Sequence, residues 1–140
     1  MRKLLLAAAA MLWPGLAGAQ AIYLTAHVWE PTGRQRCEIE MTLNNHSNMY
    51  LDAVFLNVEI ATGHDVHLIL VNFQDIPQNG FRRTQNLVAA PCRMPFEMRV
   101  MRVTHCHAGR TSFTNCGEQI GGVFIRPDGS QGRFGRAVRP

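Results

Sequence analysis

The sequence predicts an all-β fold: a small antiparallel immunoglobulin-like β-sandwich, stapled by disulfides and preceded by a cleaved signal peptide. Three observations predict it. Apolar residues recur with period two in short runs separated by turns rich in Asn, Gly and Pro. No stretch sustains a helical period. Four cysteines, an even number, follow an export segment, and exported small domains hold such cysteines as disulfides.

The export segment is read first. Arg2 and Lys3 give a positive start, and Leu4 to Leu12 form an apolar run of nine residues. Pro14 and Gly15 break it, and Ala17-Gly18-Ala19 offers the small-x-small pattern a signal peptidase accepts. Ala19-Gln20-Ala21 is an equally good second site. Residues 1–19 are therefore assigned to the signal peptide, with an alternative end at 21. Residues 20–126 are assigned to the sandwich and 127–140 to a flexible basic Gly/Arg-rich tail. The apolar run is too short to span a bilayer, and no later segment is long and apolar enough. The mature chain is expected to be periplasmic or secreted, with no transmembrane segment.

The elements follow in order. Ile22 to Trp29 suits a first strand, closed by Glu30-Pro31-Thr32-Gly33. Cys37, Ile39, Met41 and Leu43 alternate with Glu38, Glu40 and Thr42, a half-buried strand with its acids toward water. Asn44 to Asn48 breaks the run. Val54, Leu56, Val58 and Ile60 mark the next strand, and Thr62-Gly63-His64-Asp65 its turn. Val66 to Phe73 is apolar on both faces, which predicts a central strand. Ile76-Pro77-Gln78-Asn79-Gly80 turns the chain into Phe81–Val88, whose Arg82 and Arg83 suit a sheet edge. Phe96, Met98 and Val100 alternate until the phase slips to Met101 and Val103, which predicts a β-bulge near Val100-Met101. Phe113 to Ile120 fits a short helix or an irregular turn equally. Gly122 to Arg126 suits a last strand.

Charge and chemistry narrow the function. Removal of Arg2 and Lys3 leaves twelve basic residues, all arginine, against ten acids, a formal charge of about +2. That is too weak to argue for nucleic acid. Four of the arginines fall late, at Arg126, Arg133, Arg136 and Arg139. Of the three cysteine pairings, the short loop through Gly109, Arg110 and Ser112 favours Cys106 with Cys116, which leaves Cys37 with Cys92. Ser47, Ser112 and Ser130 lie in turn-like segments without a nucleophile-elbow pattern. No Cys-x-x-Cys suggests thiol exchange. Glu38 and Glu40 read as the wet face of a strand, and Gly121-Gly122 is not a phosphate loop. His64 and His67 flank Asp65 as an ordinary turn and strand pair. Asn45-His46-Ser47 matches a glycosylation sequon and is given little weight. No catalytic residue and no cofactor are assigned.

His105-Cys106-His107 is the most conspicuous cluster. Two imidazoles and a thiolate suit copper or zinc, and Met41, Met49, Met94, Met98 and Met101 would add soft ligands for copper(I). On a strand, however, His105 and His107 share one face and Cys106 points to the other. The primary expectation is therefore no metal site, with His105 and His107 as the alternative.

Residues 36 to 104 resemble the FxLYD-type domains, small immunoglobulin-like sandwiches of exported bacterial proteins. The likeness rests on a strand ending in Leu43-Asn44-Asn45-His46-Ser47, a strand Val54–Ile60 with Thr62-Gly63 at its turn, and a strand Val66–Phe73 leading into Ile76-Pro77-Gln78-Asn79-Gly80. Ile60-Ala61-Thr62 stands where the family has Leu-Tyr-Asp. The four cysteines are more similar to those of short secreted proteins of Gram-negative bacteria. The resemblance implies a binding or scaffolding module and transfers no catalytic residue. The expected function is thus an exported, non-enzymatic module for protein–protein interaction or scaffolding in the envelope. Its partner would be an envelope protein, docked at exposed strand edges or at Phe81, Arg82 and Arg83. The alternative is a periplasmic copper- or zinc-binding protein using His105, His107 and methionines.

Overall fold

A computed structural model describes residues 22–108, 111–112 and 120–136. The segment read as a signal peptide, residues 109–110, residues 113–119 of the undecided Phe113–Ile120 stretch (Cys116 among them) and residues 137–140 lie outside them. The described chain is all β, with no helix among the described residues. Its strands are β1 (Ile22–Trp29), β2 (Cys37–Asn45), β3 (Leu51–Thr62), β4 (Asp65–Ile76), β5 (Gly80–Val88), β6 (Phe96–Ala108), β7 (Thr111–Ser112), β8 (Gly121–Ile125), β9 (Gln131–Arg133) and β10 (Gly135–Arg136). They form two sheets, one in the order β5-β2-β1-β8-β9 and the other β10-β6-β3-β4 with β7 on β6. We call these sheets A and B.

Alternation builds the core between them. Ile22, Leu24, Ala26 and Val28 of β1 and Cys37, Ile39, Met41 and Leu43 of β2 point inward from sheet A. Val54, Leu56, Val58 and Ile60 of β3 and Phe96, Met98 and Val100 of β6 meet them from sheet B. The first strand, whose packing the sequence leaves open, is therefore part of the core.

Two pairs are parallel rather than antiparallel: β1 with β8, and β6 with β10. Each parallel partner is reached only after the chain has changed sheets, as parallel pairing requires a crossover. β8 approaches β1 so closely that a Cβ on Gly122 would lie 1.6 Å from the Leu24 carbonyl oxygen. Gly122 is thus a packing glycine, since only a missing side chain admits the neighbouring backbone.

The tail expected from residue 127 is ordered as far as Arg136. Asp128 accepts hydrogen bonds from the Ser130 N–H (2.9 Å) and Oγ–H (2.6 Å), shaping the β8–β9 turn, and these bonds hold its carboxyl below the usual carboxylate range. Arg126 then ties the hairpin to sheet B. Its guanidinium donates to the Phe96 carbonyl (2.8 Å), to Gln131 O (2.8 Å) and to Glu97 Oε1 (2.7 Å), and it lies over the Phe124 ring. Phe134 is buried against Phe124 at a ring distance of 5.3 Å. Glycine and arginine here serve packing and fixed hydrogen bonds, which composition alone does not reveal.

β6 carries the bulge expected at Met101: Asn57 faces Arg102 while Val58 faces Val100. A second bulge lies at Thr104, because Phe55 faces His105 and Leu56 faces Val103.

Cys37 and Cys92 are disulfide-bonded, with Cα atoms 4.9 Å apart and a sequence separation of 55. Cys106 is also disulfide-bonded; its expected partner, Cys116, lies outside the described residues. The Cys37–Cys92 bridge fastens the β5–β6 connection to the start of β2. Thr62, fully buried at the end of β3, fastens the same connection from sheet B: its hydroxyl donates to Pro91 O (2.9 Å) and accepts from the Arg93 N–H (2.6 Å).

Two stability outcomes follow. Replacing Cys37 and Cys92 together by alanine should lower unfolding stability by about 4 kcal/mol in the loop-entropy picture, read from urea midpoints. Gly122→Ala should cost about 3 kcal/mol or more, because the backbone at Leu24 cannot yield as a side chain would; a loss below about 1 kcal/mol would refute the close-approach argument.

Candidate functional site

The most exposed apolar feature sits on β4. Its outward residues Val66, Leu68 and Leu70 are 62%, 65% and 59% exposed. Its inward residues Val71 and Phe73 are buried. β4 is the edge of sheet B, paired with β3 alone among the described residues. This corrects the expectation of a central strand. Apolar residues on both faces can mean burial on both faces, but among the described residues no layer covers the second face. Leu68 lies beside Glu59 and Leu70 beside Asn57 of β3, so polar residues border the aliphatic stripe.

β4 also lacks the devices that usually blunt an edge. It spans twelve residues with no proline, lysine or arginine. An edge of this length presents a ladder of backbone groups open to another strand.

The next strand, β5, is the edge of sheet A and, among the described residues, pairs only with β2. Phe81, Arg82 and Arg83 are all exposed on it, as is Leu87. Their roles differ from those of the β4 stripe. The Arg83 guanidinium lies 5.1 Å from the Phe81 ring centre, and Arg82 Nη1 donates to the Phe81 carbonyl (3.2 Å). Arg83 therefore lies over the ring, and both arginines charge this edge.

A buried polar hub fixes β4 and β5 relative to one another. Asn45, with no exposed surface, donates from Nδ2 to Met49 O (2.8 Å) and Pro77 O (3.0 Å). Its Oδ1 accepts from the Ser47 N–H (3.0 Å) and Oγ–H (2.6 Å). The Asn79 N–H donates to Ser47 O (3.2 Å). The β2–β3 loop is thereby joined to the β4–β5 turn, where Asn79 takes a positive φ of 50°. The amide nitrogen of Asn45 is fully occupied inside the protein, so the Asn45-His46-Ser47 sequon is a structural motif. Nearby, Tyr50 Oη donates to Asp75 Oδ1 (2.7 Å), which raises the phenol above its usual range because the bonded neutral form faces a carboxylate.

The other candidates do not converge. His64 is exposed in the β3–β4 turn, whereas His67 points inward from β4 with its Nε2 buried and unpartnered. Ser47 and Ser130 serve their turns. The side chain of Ser112 lies outside the described residues. Glu38 pairs with Arg36 at 3.3 Å on the outward face of sheet A. His105 and His107 stand side by side on the outward face of sheet B, their ring centres 4.9 Å apart, and Cys106 points into the core. Among the described residues, no group of three or more His, Cys, Asp or Glu side chains is placed to hold a metal ion. A small open pocket lies between Glu59, Glu97, Arg99 and Arg133, where opposite charges meet without a nucleophile or base pair.

The sequence offered one trace of the β4 stripe, the two-faced apolarity of Val66 to Phe73. It could not say which face stays uncovered. Protein-family models, curated proteins and solved structures provide no match to the chain.

The hub generates a stability outcome. Asn45→Ala leaves the carbonyls of Met49 and Pro77 and the Ser47 donors without their buried partner, and should cost about 2–4 kcal/mol. Asn45→Asp should also destabilise, because it removes the Nδ2 donor while keeping the shape. Chemical denaturation of both variants checks this, and near-native stability in either would contradict the hub.

Proposed function

We propose that this protein is an exported, non-enzymatic β-sandwich module that docks another envelope protein along the open β4 edge. The observation that carries the reading is the row of Val66, Leu68 and Leu70, each about three-fifths exposed on an unguarded edge strand. Exposed contiguous apolar surface at an edge favours a partner that covers it. An extended segment added beside β4 would satisfy its open backbone ladder, while its own alternate apolar side chains lie over the stripe. Export is supported by the Arg2-Lys3 start, the Leu4–Leu12 run and the Ala17-Gly18-Ala19 site, and by disulfides that persist in oxidising compartments. The absence of a catalytic constellation in the sequence supports the non-enzymatic part.

β4 is preferred to Phe81, Arg82 and Arg83 as the main contact because arginine already covers the aromatic ring on β5. The β5 residues then form a charged rim beside the contact and contribute orientation more than affinity.

The test places a photo-crosslinking residue at position 68 and, in a second strain, at position 40 on the outward face of sheet A. Irradiated cells should yield a discrete adduct from position 68 and none from position 40. With the crosslinker at 66, adding Leu68→Arg should reduce the adduct about tenfold, the scale of one lost apolar anchor replaced by charge. The same change should leave unfolding stability within about 0.5 kcal/mol, as expected for an exposed site. No adduct from position 68, or equal adducts from both positions, would sink the reading.

A further inference from the structure

His105 and His107 lie on the outward face of sheet B at a different height from the aliphatic stripe: His105 faces Phe55 and His107 faces Ala53 of β3, whereas Leu68 and Leu70 face Glu59 and Asn57. They stand two residues apart on β6, so both side chains leave the same face. The bulge at Thr104 sets this phase, turning His105 outward and Cys106 inward. Their ring centres are 4.9 Å apart, and the Phe55 ring centre stands 5.0 Å from that of His105. With metal–nitrogen bonds of about 2.0–2.1 Å and each ring centre about 1 Å behind its nitrogen, two imidazoles bound in cis to one ion place their centres about 4.5–5 Å apart. The observed spacing falls in that range.

We propose that His105 and His107 form a bidentate cupric-ion site on the outer face of sheet B, with water completing the coordination. The donor chemistry selects the ion. Two imidazole nitrogens with open positions favour Cu(II) over other divalent first-row ions. Of the softer ligands that would favour copper(I), Cys106 is disulfide-bonded and Met41 and Met98 are buried in the core. The site is an exposed chelate of two residues, which is why it escapes the usual three-ligand pattern. Its affinity rests on both rings acting together, since release of one imidazole leaves the other to hold the ion alone.

The experiment titrates Cu(II) into the protein purified in the form the cell processes it to, with disulfides intact, by calorimetry and by electron paramagnetic resonance. One ion should bind per chain, with hyperfine structure from two equatorial nitrogens. His105→Asn and His107→Asn should each weaken binding about tenfold or more, and the double variant should be little worse than either, because one change already breaks the chelate. His64→Asn should leave binding unchanged. Circular dichroism checks that the variants stay folded. Wild-type-like affinity in either single variant, or a one-nitrogen signature, would overturn the proposal, as would loss of binding on changing His64.

Discussion

The connection between β5 and β6 is the constraint on which the rest of the structure depends. It carries the chain from sheet A to sheet B and is held from both. The bond to Cys37 anchors it to β2, and the Thr62 hydroxyl grips Pro91 and Arg93 from β3. The Gly63 N–H donates to Pro95 O (3.0 Å), joining the β3–β4 turn to the entry of β6. Phe96, the first residue of β6, is fully buried immediately afterwards. With that entry fixed, β6 pairs with β3 along nearly its whole length, and the sandwich has its central pair in sheet B. A small domain with a modest core gains most from covalent and buried polar fastenings at such a crossing.

Much of this fold was legible because alternation and burial coincide. The run Ile22 to Trp29 was legible as a strand from its period, but its packing was left open; every second residue is apolar and reaches the core. The phase slip at Val100-Met101 was legible for the same reason, because a bulge between two apolar alternations leaves adjacent apolar residues. The second bulge was not. Thr104 and His105 are both polar and exposed, so inserting one of them disturbs no visible pattern. The ordered segment after Arg126 was hidden by composition. Gly132 reads as a loop residue, yet a Cβ there would lie 2.6 Å from the Phe124 ring and from the Arg126 guanidinium. The candidate site was legible in part. The sequence placed β5 and its arginines at an edge, but it put β4 in the interior. Hydrophobicity on two faces says that burial is favourable and not what supplies it, and the exposure of Val66, Leu68 and Leu70 is a tertiary fact.

The two edges on this side of the sandwich are treated differently by the sequence. β5 carries arginine and glutamine among its exposed positions, with one exposed aliphatic residue, Leu87, and its exposed ring near the turn lies under Arg83. β4 places aliphatic residues at the corresponding positions and carries no charge between Val66 and Gln74 apart from what His67 can acquire. Charge on an edge opposes strand addition, through desolvation and repulsion, whereas aliphatic side chains favour it. One side of the molecule therefore discourages and invites pairing on adjacent strands, which gives any added strand a defined sheet to join.

The outward face of sheet B is itself divided along the strands. Toward the β3–β4 turn, Val66, Leu68 and Leu70 border Ala61, Glu59 and Asn57, and beyond them Glu97 and Arg99 on β6. Further along β3, Phe55, His105 and His107 make an aromatic group. The Thr104 bulge creates that division, because the same sequence in regular alternation, with Thr104 paired, would reverse the faces beyond it and turn Cys106 to water. The disulfide at Cys106 and the outward histidines are thus two consequences of one inserted residue. A substitution that removed the bulge would disturb both together, so the bulge couples the covalent fastening of β6 to the chemistry its outer face presents.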